Sequence, residues 1–183
     1  MKLESLKQDK YYHIYNRGIN GSNIFTSDRN REFFLQLYKK HVSGKITTFA
    51  YCLLNNHYHF AIRVDTDPKE VTQSFSNFFN AYAKAFNKAE NRTGSLFEKH
   101  FKRVVLDSEK YLQQIILYIH KNPQEHFEIL YEKYRFSSFQ EIKNKASNIV
   151  NHQEVLTLFD GRENFLAVHR NGINEIDESL KIQ

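Results

Sequence analysis

The chain has 183 residues, enough for one compact domain with a substantial core and a short extension. Its hydrophobic share of 40% and charged share of 26% are typical of a globular protein, and no apolar run reaches the roughly 20 residues that span a bilayer. The charged first ten residues lack the apolar core of a signal peptide, and the single cysteine, Cys52, excludes an internal disulfide, so we expect a cytoplasmic protein.

The net charge of +5 is unevenly distributed along the chain. Residues 151–183 contain six acidic and three basic side chains, which leaves +8 on residues 1–150. A basic body of this kind suits a polyanionic partner, although charge alone does not distinguish a nucleic-acid surface from an ordinary solvated one. The 16 phenylalanines and 11 tyrosines offer candidate platforms for stacked bases.

The first part of the chain alternates strand and helix patterns. Residues 11–16 are aromatic and β-branched, which predicts a strand. Residues 27–41 then predict a helix that begins with Ser27 as its cap. Residues 46–54 and 57–64 predict two antiparallel strands joined by a tight turn.

The pattern continues in the second part of the chain. Asp67 followed by proline predicts the start of a helix, and residues 100–106 predict a strand. Ser108 predicts the start of a further helix. We expect that helix to end at Asn122 and Pro123, because proline disfavours helical conformation in the residue before it.

Interspersed strands and helices with a tight strand–strand turn predict an α+β fold, in which helices pack on one face of an antiparallel sheet. We place a single domain at residues 1–145 and a C-terminal extension, partly helical or disordered, at residues 146–183. Residues 155–159 predict a short helix in that extension, and the last dozen residues are predicted to be disordered.

A histidine pair on the predicted strand at residues 57–64 is the first candidate site. His57 and His59 leave one face of the sheet roughly 7 Å apart, and neutral imidazoles at this spacing can converge on one divalent metal ion. Arg63 shares that face, and its planar guanidinium can form paired hydrogen bonds to a phosphate. The alternative is that both histidines are solvated side chains on an open sheet face.

The helix after Ser108 offers a nucleophile and a third ligand. Tyr118 and Asn122 lie one turn apart on the flank of its apolar stripe. The tyrosine hydroxyl is a candidate nucleophile, and the asparagine amide is a hard oxygen ligand of the kind that Mg²⁺ and Mn²⁺ accept. From spacing alone, a core-edge tyrosine whose hydroxyl meets water is the simpler interpretation. Tyr111, about 16 Å from Asn122 along the helix axis, is the control residue.

Four short motifs follow one another in a characteristic order. They are YHIYNRG at residues 12–18, YCLLNNHYH at residues 51–59, GSLF at residues 94–97 and YIHKNP at residues 118–123. Together they resemble the REP-associated tyrosine transposases, which are single-tyrosine members of the HUH endonuclease superfamily. The resemblance spans roughly residues 11–140. One position departs from it, because Asn55 stands where the family commonly has proline.

The resemblance implies a ferredoxin-like HUH fold and an enzyme that cuts and rejoins single-stranded DNA next to hairpins. His57 and His59 match the pair that holds Mg²⁺ or Mn²⁺, Asn122 matches the position that completes the metal site, and Tyr118 matches the nucleophile. Attack by Tyr118 then gives a 5′-phosphotyrosine and a free 3′-OH. The implied partner is hairpin-bearing single-stranded DNA in the nucleoid. Related transposases act as dimers or as monomers, so a homodimer stays open.

Six basic residues near the proposed site or on neighbouring elements are candidate DNA contacts: Arg17, Arg63, Lys99, Lys102, Arg103 and Lys121. Each of them taken separately is equally an ordinary surface charge, and Arg63 is singled out because it shares the strand face of both histidines. His13 on the first strand is either a partner of the metal-binding histidines or a structural residue.

Two other functions stay open at this point. One is a non-catalytic regulator that binds hairpin DNA or RNA, although binding alone needs neither the histidine pair nor Tyr118. The other is a metal-dependent nuclease that uses water, which would lose the bond energy that a phosphotyrosine conserves. A covalent protein–DNA adduct distinguishes the transposase from both.

Overall fold

Four antiparallel strands form the centre of the protein. A computed structural model describes residues 5–146 and 148–171, so the prediction for the last dozen residues lies outside the described part. The strands are β1 (Tyr11–Arg17), β2 (Ile46–Leu53), β3 (His57–Val64) and β4 (Lys102–Leu106), and their order in the sheet is β2-β3-β1-β4. Every neighbouring pair is antiparallel. The order and the βαββαβ connectivity are ferredoxin-like, as predicted.

Six helices surround this sheet within the described residues. They are α1 (Asp28–Val42), α2 (Pro68–Ala89), α3 (Glu109–Phe127), α4 (Phe139–Lys143), α5 (His152–Leu158) and α6 (Arg162–Asn171), with short 3-10 turns at Ile19–Gly21 and Tyr131–Lys133. The predicted helix starts are confirmed by their caps. The side chains of Ser27, Asp67 and Ser108 each accept a hydrogen bond from a backbone N–H in the first turn of the helix that follows.

Helices cover both faces of the sheet, which corrects the expectation of a single covered face. Aromatic packing fixes α1 on one face, where the rings of Tyr38 and Phe60 stack with centroids 4.2 Å apart. On the opposite face, the α3 residue Tyr118 meets His59 edge-on at 5.5 Å. The second face therefore carries a buried layer too, and His59 is only 1% exposed there.

Helix α3 passes through Pro123 and ends at Phe127, so the predicted end at Asn122 is wrong. Proline removes one backbone hydrogen bond and crowds the preceding turn, but it does not forbid a helix whose flanks are held. Pro123 is itself buried, and its carbonyl accepts the capping N–H of Glu128, which lies in the left-handed region. Phe127 packs on Tyr134 at 5.9 Å. These contacts hold the extra turn.

The C-terminal extension packs onto the same core as the rest of the chain. The Asn151 N–H donates to the Thr48 carbonyl of β2, and Phe165 of α6 is fully buried. His169 of α6 is hydrogen-bonded at 2.8 Å to His120 on α3. The extension is therefore helical over most of its described length.

Two further features concern the cysteine and the membrane. Cys52 is fully buried, and burial raises the pKa of its thiol, which keeps it protonated. In the described part of the chain, no helix combines the length and apolar character needed to cross a bilayer.

Candidate active site

The polar face of β3 lies under helix α3. His57 and His59 alternate with the core residues Tyr58 and Phe60, so both imidazoles leave the sheet on the α3 side, as predicted. Their ring centroids are 5.0 Å apart. The neighbouring strand β1 places Tyr15 directly opposite His59 in the antiparallel register. The histidine pair is therefore enclosed rather than displayed on an open sheet face.

Helix α3 brings Tyr118 and Asn122 to this pair. The Tyr118 ring meets His59 edge-on at 5.5 Å and is 5% exposed. Asn122 is fully buried one turn further along, and its side-chain Nδ2 donates to the Tyr118 carbonyl at 2.8 Å. The structure thus places the ring of the predicted nucleophile against His59, with Asn122 one helical turn further along and His57 beside His59.

Two buried polar atoms in this cluster lack a hydrogen-bond partner among the described residues. They are His59 Nε2 and Asn122 Oδ1; the Asn122 side chain also lies near enough to His57 to raise the pKa of that imidazole, but without a hydrogen bond of standard geometry. Leaving such a group unsatisfied costs about 1–3 kcal/mol, so an orphaned pair in one place indicates a missing ligand. A nitrogen lone pair and an amide oxygen together fit a divalent cation.

The hydrogen bonds of the two imidazoles leave one nitrogen of each for such a ligand. His57 Nδ1 lies 2.7 Å from Asn56 Oδ1, which accepts and therefore fixes the proton on Nδ1. His59 Nδ1 lies 3.0 Å from His13 Nε2. If His59 donates in that bond, both Nε2 atoms carry a free lone pair. His13 thus occupies the position of an orienting partner for a metal-binding histidine.

Burial keeps these imidazoles neutral. It lowers the pKa of His57 to about 4, where neighbouring His126 acts in the same direction and the Asn122 side chain opposes it. It lowers the pKa of His13 to about 3. The pKa of His59 also lies well below its usual value, because of burial first and the adjacent His13 and His57 second. A neutral imidazole is the form that binds a metal.

The ligand set depends on the asparagine amide. In residues 5–146 and 148–171, no group of three or more His, Cys, Asp and Glu side chains is arranged to hold a metal ion. His57 and His59 alone provide two ligands, so the carbonyl oxygen of Asn122 is required as the third. Its burial and its lack of a partner fit that role.

A cavity of about 140 Å³ opens beside the histidines. Its walls come from β1, the β2–β3 turn, β3, the segment before β4 and the end of α3. They comprise Tyr15, Asn16, Arg17, Asn56, His57, His59, Glu98, Lys102 and His126. Tyr118 does not line this cavity, since it lies beneath His59 in the layer between sheet and helix.

Two of the six predicted DNA contacts reach the cavity. Arg17 lines it while its Nε forms an ion pair with Glu98 at 2.6 Å. The exposed Lys102 lines it as well, and its Nζ lies 5.7 Å from the centre of the Tyr15 ring. Lys99 is exposed in the segment between them. Arg17 and Lys102 therefore place positive charge at the cavity, where Glu98 partly balances that of Arg17.

The other three predicted contacts lie elsewhere. Arg63 lies at the far end of β3, where its guanidinium forms ion pairs with Asp65 at 2.7 Å and with Glu154 at 2.6 Å. Its guanidinium is therefore not available to a phosphate beside the histidines. Arg103 stacks on Phe101 at 4.6 Å. Lys121 is half-buried on α3, and burial lowers its pKa.

Sequence reasoning missed His126, which lines the cavity with its ring 4.9 Å from that of His57. His126 was missed because the predicted helix ended at Asn122 and Pro123. The usable signal was the spacing, because Tyr118, Asn122 and His126 follow one another every four residues and thus share one stripe of a continuous helix.

Asn55 has a structural role in the turn before His57. Its side-chain oxygen accepts from Nη2 of Arg31, whose guanidinium is buried against the rings of Phe25 and Phe136. Its backbone carbonyl accepts from two N–H groups at the end of the segment after β1. The Asn55 amide therefore supplies an acceptor to the buried guanidinium, whose Nε has no hydrogen-bond partner among the described residues.

The turn after β1 connects this strand to two other segments at the candidate site. Gly18 donates its N–H to the Asn56 carbonyl and pairs with Phe97. A Cβ on Gly18 would lie 1.9 Å from the Ser22 carbonyl oxygen, so only glycine fits this close approach. The glycine thus ties β1 to the two segments that carry Asn56 and Glu98.

Comparison with known proteins gives a result at the level of fold. No protein-family model matches the sequence, and no curated protein does either. Among solved structures, the chain is similar to a REP-associated tyrosine transposase determined with a bound REP hairpin. The TM-score is 0.59 at 17% identity, over 81% of this chain and 88% of that chain. This likeness confirms the α+β fold that the order of strands and helices predicted.

Proposed function

We propose that this protein cleaves and rejoins single-stranded DNA through a covalent bond to Tyr118, with a divalent metal ion held by His57, His59 and Asn122. One observation carries the proposal. His59 Nε2 and Asn122 Oδ1 are buried without a hydrogen-bond partner among the described residues, and the ring of Tyr118, one helical turn before Asn122, contacts the rings of both His59 and His13.

The chain's own residues have separate tasks in this reaction. His57 and His59 are held neutral by burial and are oriented by Asn56 and His13, so their Nε2 atoms are ready to bind. Bound Mg²⁺ or Mn²⁺ supplies charge neutralisation at the scissile phosphate. Tyr118 supplies the attacking oxygen: its bond to phosphorus forms as the bond to the 3′ oxygen breaks, and the proton that the phenol loses is balanced by the proton that the departing 3′ oxygen takes up as a 3′-OH.

A tyrosine suits a reversible reaction better than water does. The phenol has an ordinary pKa of about 10, so its oxygen is a good leaving group when the departed 3′-OH, or another 3′-OH, attacks the phosphotyrosine. The intermediate keeps the energy of the phosphodiester, and strand transfer then needs no ATP. Hydrolysis by water would discard that energy.

The DNA would enter at the basic mouth of the cavity. Arg17 and Lys102 provide positive charge there, Lys99 is exposed three residues before Lys102, and Tyr15 offers a ring beside Lys102. The similar transposase was solved with a REP hairpin, which makes hairpin-bearing single-stranded DNA the first substrate to test. A homodimer and a place in the nucleoid stay predictions.

A second function, hairpin-DNA binding without cleavage, is favoured by one observation. Tyr118 is only 5% exposed and does not line the cavity. A phosphate therefore reaches its hydroxyl only if the Tyr118 ring or helix α3 shifts. Binding through Arg17 and Lys102 requires no such shift.

Covalent capture separates the two functions. The protein is incubated with hairpin-bearing single strands and Mn²⁺, and the mixture is run on a denaturing gel. The proposal expects a protein–DNA adduct from wild type and from Tyr111→Phe, and none from Tyr118→Phe. No adduct from wild type, together with salt-sensitive hairpin binding, would establish the binding function instead.

Metal dependence is tested in the same assay. His59→Ala and Asn122→Ala should each abolish or strongly reduce the adduct, and a chelator should do the same to wild type. An adduct that forms at the wild-type rate in the chelator and in both variants would contradict the metal site. Hairpin binding by each variant, measured separately, shows that the fold is intact.

A further inference from the structure

A buried hydrogen-bond network connects the C-terminal helix α6 to α3 and to the sheet, and the proposed function does not use it. His169 of α6 lies 2.8 Å from His120 of α3, and the other nitrogen of His120 lies 2.8 Å from the hydroxyl of Ser138. That hydroxyl accepts the backbone N–H of Tyr51 on β2 at 2.9 Å. The three side chains of this His169–His120–Ser138 network are at most 1% exposed, so water does not compete for these bonds.

The direction of each hydrogen bond in the network follows from its neighbour. His169 Nδ1 lies 2.7 Å from the Phe165 carbonyl, which only accepts, so Nδ1 carries the proton and Nε2 is the acceptor. His120 therefore donates from Nδ1 to His169, and its Nε2 accepts from the Ser138 hydroxyl. Burial keeps both imidazoles neutral, because it lowers the pKa of His169 to about 4 and holds that of His120 well below its usual value. Every ring nitrogen of both histidines thus has a partner in one arrangement.

The network has the pattern of an activated serine but no access for a substrate. A hydroxyl bonded to an imidazole whose second nitrogen is held by a further group is typical of nucleophilic catalysis. Ser138 and His120 are both completely buried, so no substrate reaches this hydroxyl. The network therefore acts on the structure around it, and α3 is the element at its centre.

His120 lies where it can control the rotation of α3 about its axis. It follows Tyr118 by two residues and precedes Asn122 by two, and two residues turn a helix by about 200°. The imidazole therefore leaves α3 on the side opposite the Tyr118 and Asn122 side chains. Because both of its nitrogens are held, a rotation of the helix would leave a buried polar atom without a partner.

The same C-terminal extension is also bound to the strand that carries the histidine pair. Glu154 of α5 forms an ion pair at 2.6 Å with Arg63 at the end of β3. The Leu158 carbonyl, which follows in the same segment, accepts from the side chain of Gln113 on α3 at 2.6 Å. Helices α5 and α6 thus bridge α3 and β3, the two elements that carry the candidate site.

We infer that His169 is a positioning residue for the proposed nucleophile, because through His120 it fixes the rotation of α3 and thereby the place of Tyr118. The inference rests on the proposed function for the role of Tyr118. With the backbone of α3 fixed, the movement that brings the hydroxyl to a phosphate falls to the Tyr118 side chain. A misplacement of about 1 Å can cost roughly 100-fold in rate. Loss of the network should therefore slow the reaction but spare hairpin binding, since none of its residues lines the cavity beside the histidine pair.

Three variants of the full chain separate the hydrogen bond from general packing. His169→Phe keeps a ring of similar volume but removes the acceptor for His120, whereas His169→Gln keeps an acceptor oxygen. Leu166→Ala is the matched control, because it removes a buried side chain from the same helix and leaves the network intact. Urea denaturation defines conditions in which each variant is folded. If His169→Phe does not fold, Ser138→Ala, which removes the other partner of His120, is measured in its place with the same expectation.

The first readout is the rate of adduct formation at a saturating concentration of hairpin-bearing strand, measured beside the Kd for that strand. His169→Phe should lower the rate at least about ten-fold and leave the Kd within about two-fold of wild type. His169→Gln and Leu166→Ala should keep the rate within about three-fold of wild type. Equal losses of rate in His169→Phe and Leu166→Ala would attribute the effect to packing and overturn the inference.

The second readout needs no catalysis. In protein that contains isotope-labelled tyrosine, the Tyr118 ring resonance is identified by its absence from Tyr118→Phe. Its chemical shift reports the edge-on contacts of this ring with the imidazoles of His59 and His13. His169→Phe should move this resonance, whereas His169→Gln and Leu166→Ala should leave it in place.

The two readouts together distinguish this inference from the proposed function. If the Tyr118 resonance moves in His169→Phe but wild type forms no adduct, the placement of Tyr118 by His169 stands and its role as nucleophile is wrong. If wild type forms the adduct, and His169→Phe changes neither the resonance nor the rate, the positioning role is refuted and the proposed function stands.

Discussion

Acid should destabilise this protein strongly, because burial keeps five histidines neutral in the folded state. Burial lowers the pKa of His57 and His169 to about 4 and that of His13 to about 3, and it holds His59 and His120 well below their usual range. In the unfolded chain each of them returns to a pKa near 6.5. The perturbation is a change of pH from 7.5 to 5.5 in the absence of metal.

The sign follows from proton binding. Between pH 6.5 and about 4 the unfolded chain binds more protons than the folded protein, so the free energy of unfolding falls as the pH falls through that window. The stability that the neutral histidines contribute is fully present well above pH 6.5. One histidine that must stay neutral costs roughly 1.4 kcal/mol at pH 5.5, and five give an upper bound of roughly 7 kcal/mol. That bound is comparable with the whole stability of a domain, about 5–15 kcal/mol.

Urea denaturation followed by far-UV circular dichroism measures this effect at a series of pH values. We expect the unfolding midpoint to fall modestly from pH 7.5 to 6.5, by the equivalent of at most about 2 kcal/mol, and to fall steeply below pH 6.5. His169→Gln removes one of the titrating groups and should make the slope shallower by at most about 1.4 kcal/mol per pH unit. A free energy of unfolding that changes by less than about 1 kcal/mol between pH 7.5 and 5.5 would refute the buried neutral histidines.

Three other predictions concern the metal, the turn before His57 and the DNA surface. Mn²⁺ at roughly 100 times its Kd should stabilise the fold by about 2.7 kcal/mol, which raises Tm by roughly 5–10 °C for a chain of this size. In His59→Ala, thermal denaturation should show no such rise, and an equal rise would contradict the site. Asn55→Ala leaves the buried Arg31 without its amide acceptor and should cost about 1–3 kcal/mol in urea denaturation, whereas the exposed Asn77→Ala should change stability by less than about 0.5 kcal/mol. Lys102→Ala should lower the dependence of log K for hairpin single strands on log salt by about 0.7, whereas Lys84→Ala, exposed on α2, should leave that slope unchanged.

The sequence predicted the elements that depend on local chemistry. Ser27, Asp67 and Ser108 are side chains that cap helices, and each begins a helix in the structure. Alternation along residues 57–64 separates the core face from the histidine face because a strand has a period of two. The four-residue spacing of Tyr118 and Asn122 places them one turn apart on α3. These relations need no knowledge of tertiary contacts.

Other features depend on contacts between distant parts of the chain. The continuation of α3 to His126 rests on packing such as that of Phe127 on Tyr134, which outweighs the local effect of Pro123. Arg63 shares a strand face with His57, yet its carboxylate partner Glu154 comes from α5, 91 residues away. No local pattern in residues 57–64 reveals that partner, so the sequence wrongly left Arg63 free for phosphate.

The covalent bond itself tests the central claim most directly. The adduct formed with a hairpin-bearing strand in Mn²⁺ is digested with protease and nuclease, and the nucleotide-linked peptide is sequenced by mass spectrometry. We predict a single modified residue, Tyr118, joined to the 5′-phosphate of the downstream fragment, with the upstream fragment released bearing a 3′-OH. Linkage to Tyr111 or to any other residue, or cleavage that leaves no linked peptide, would contradict the account.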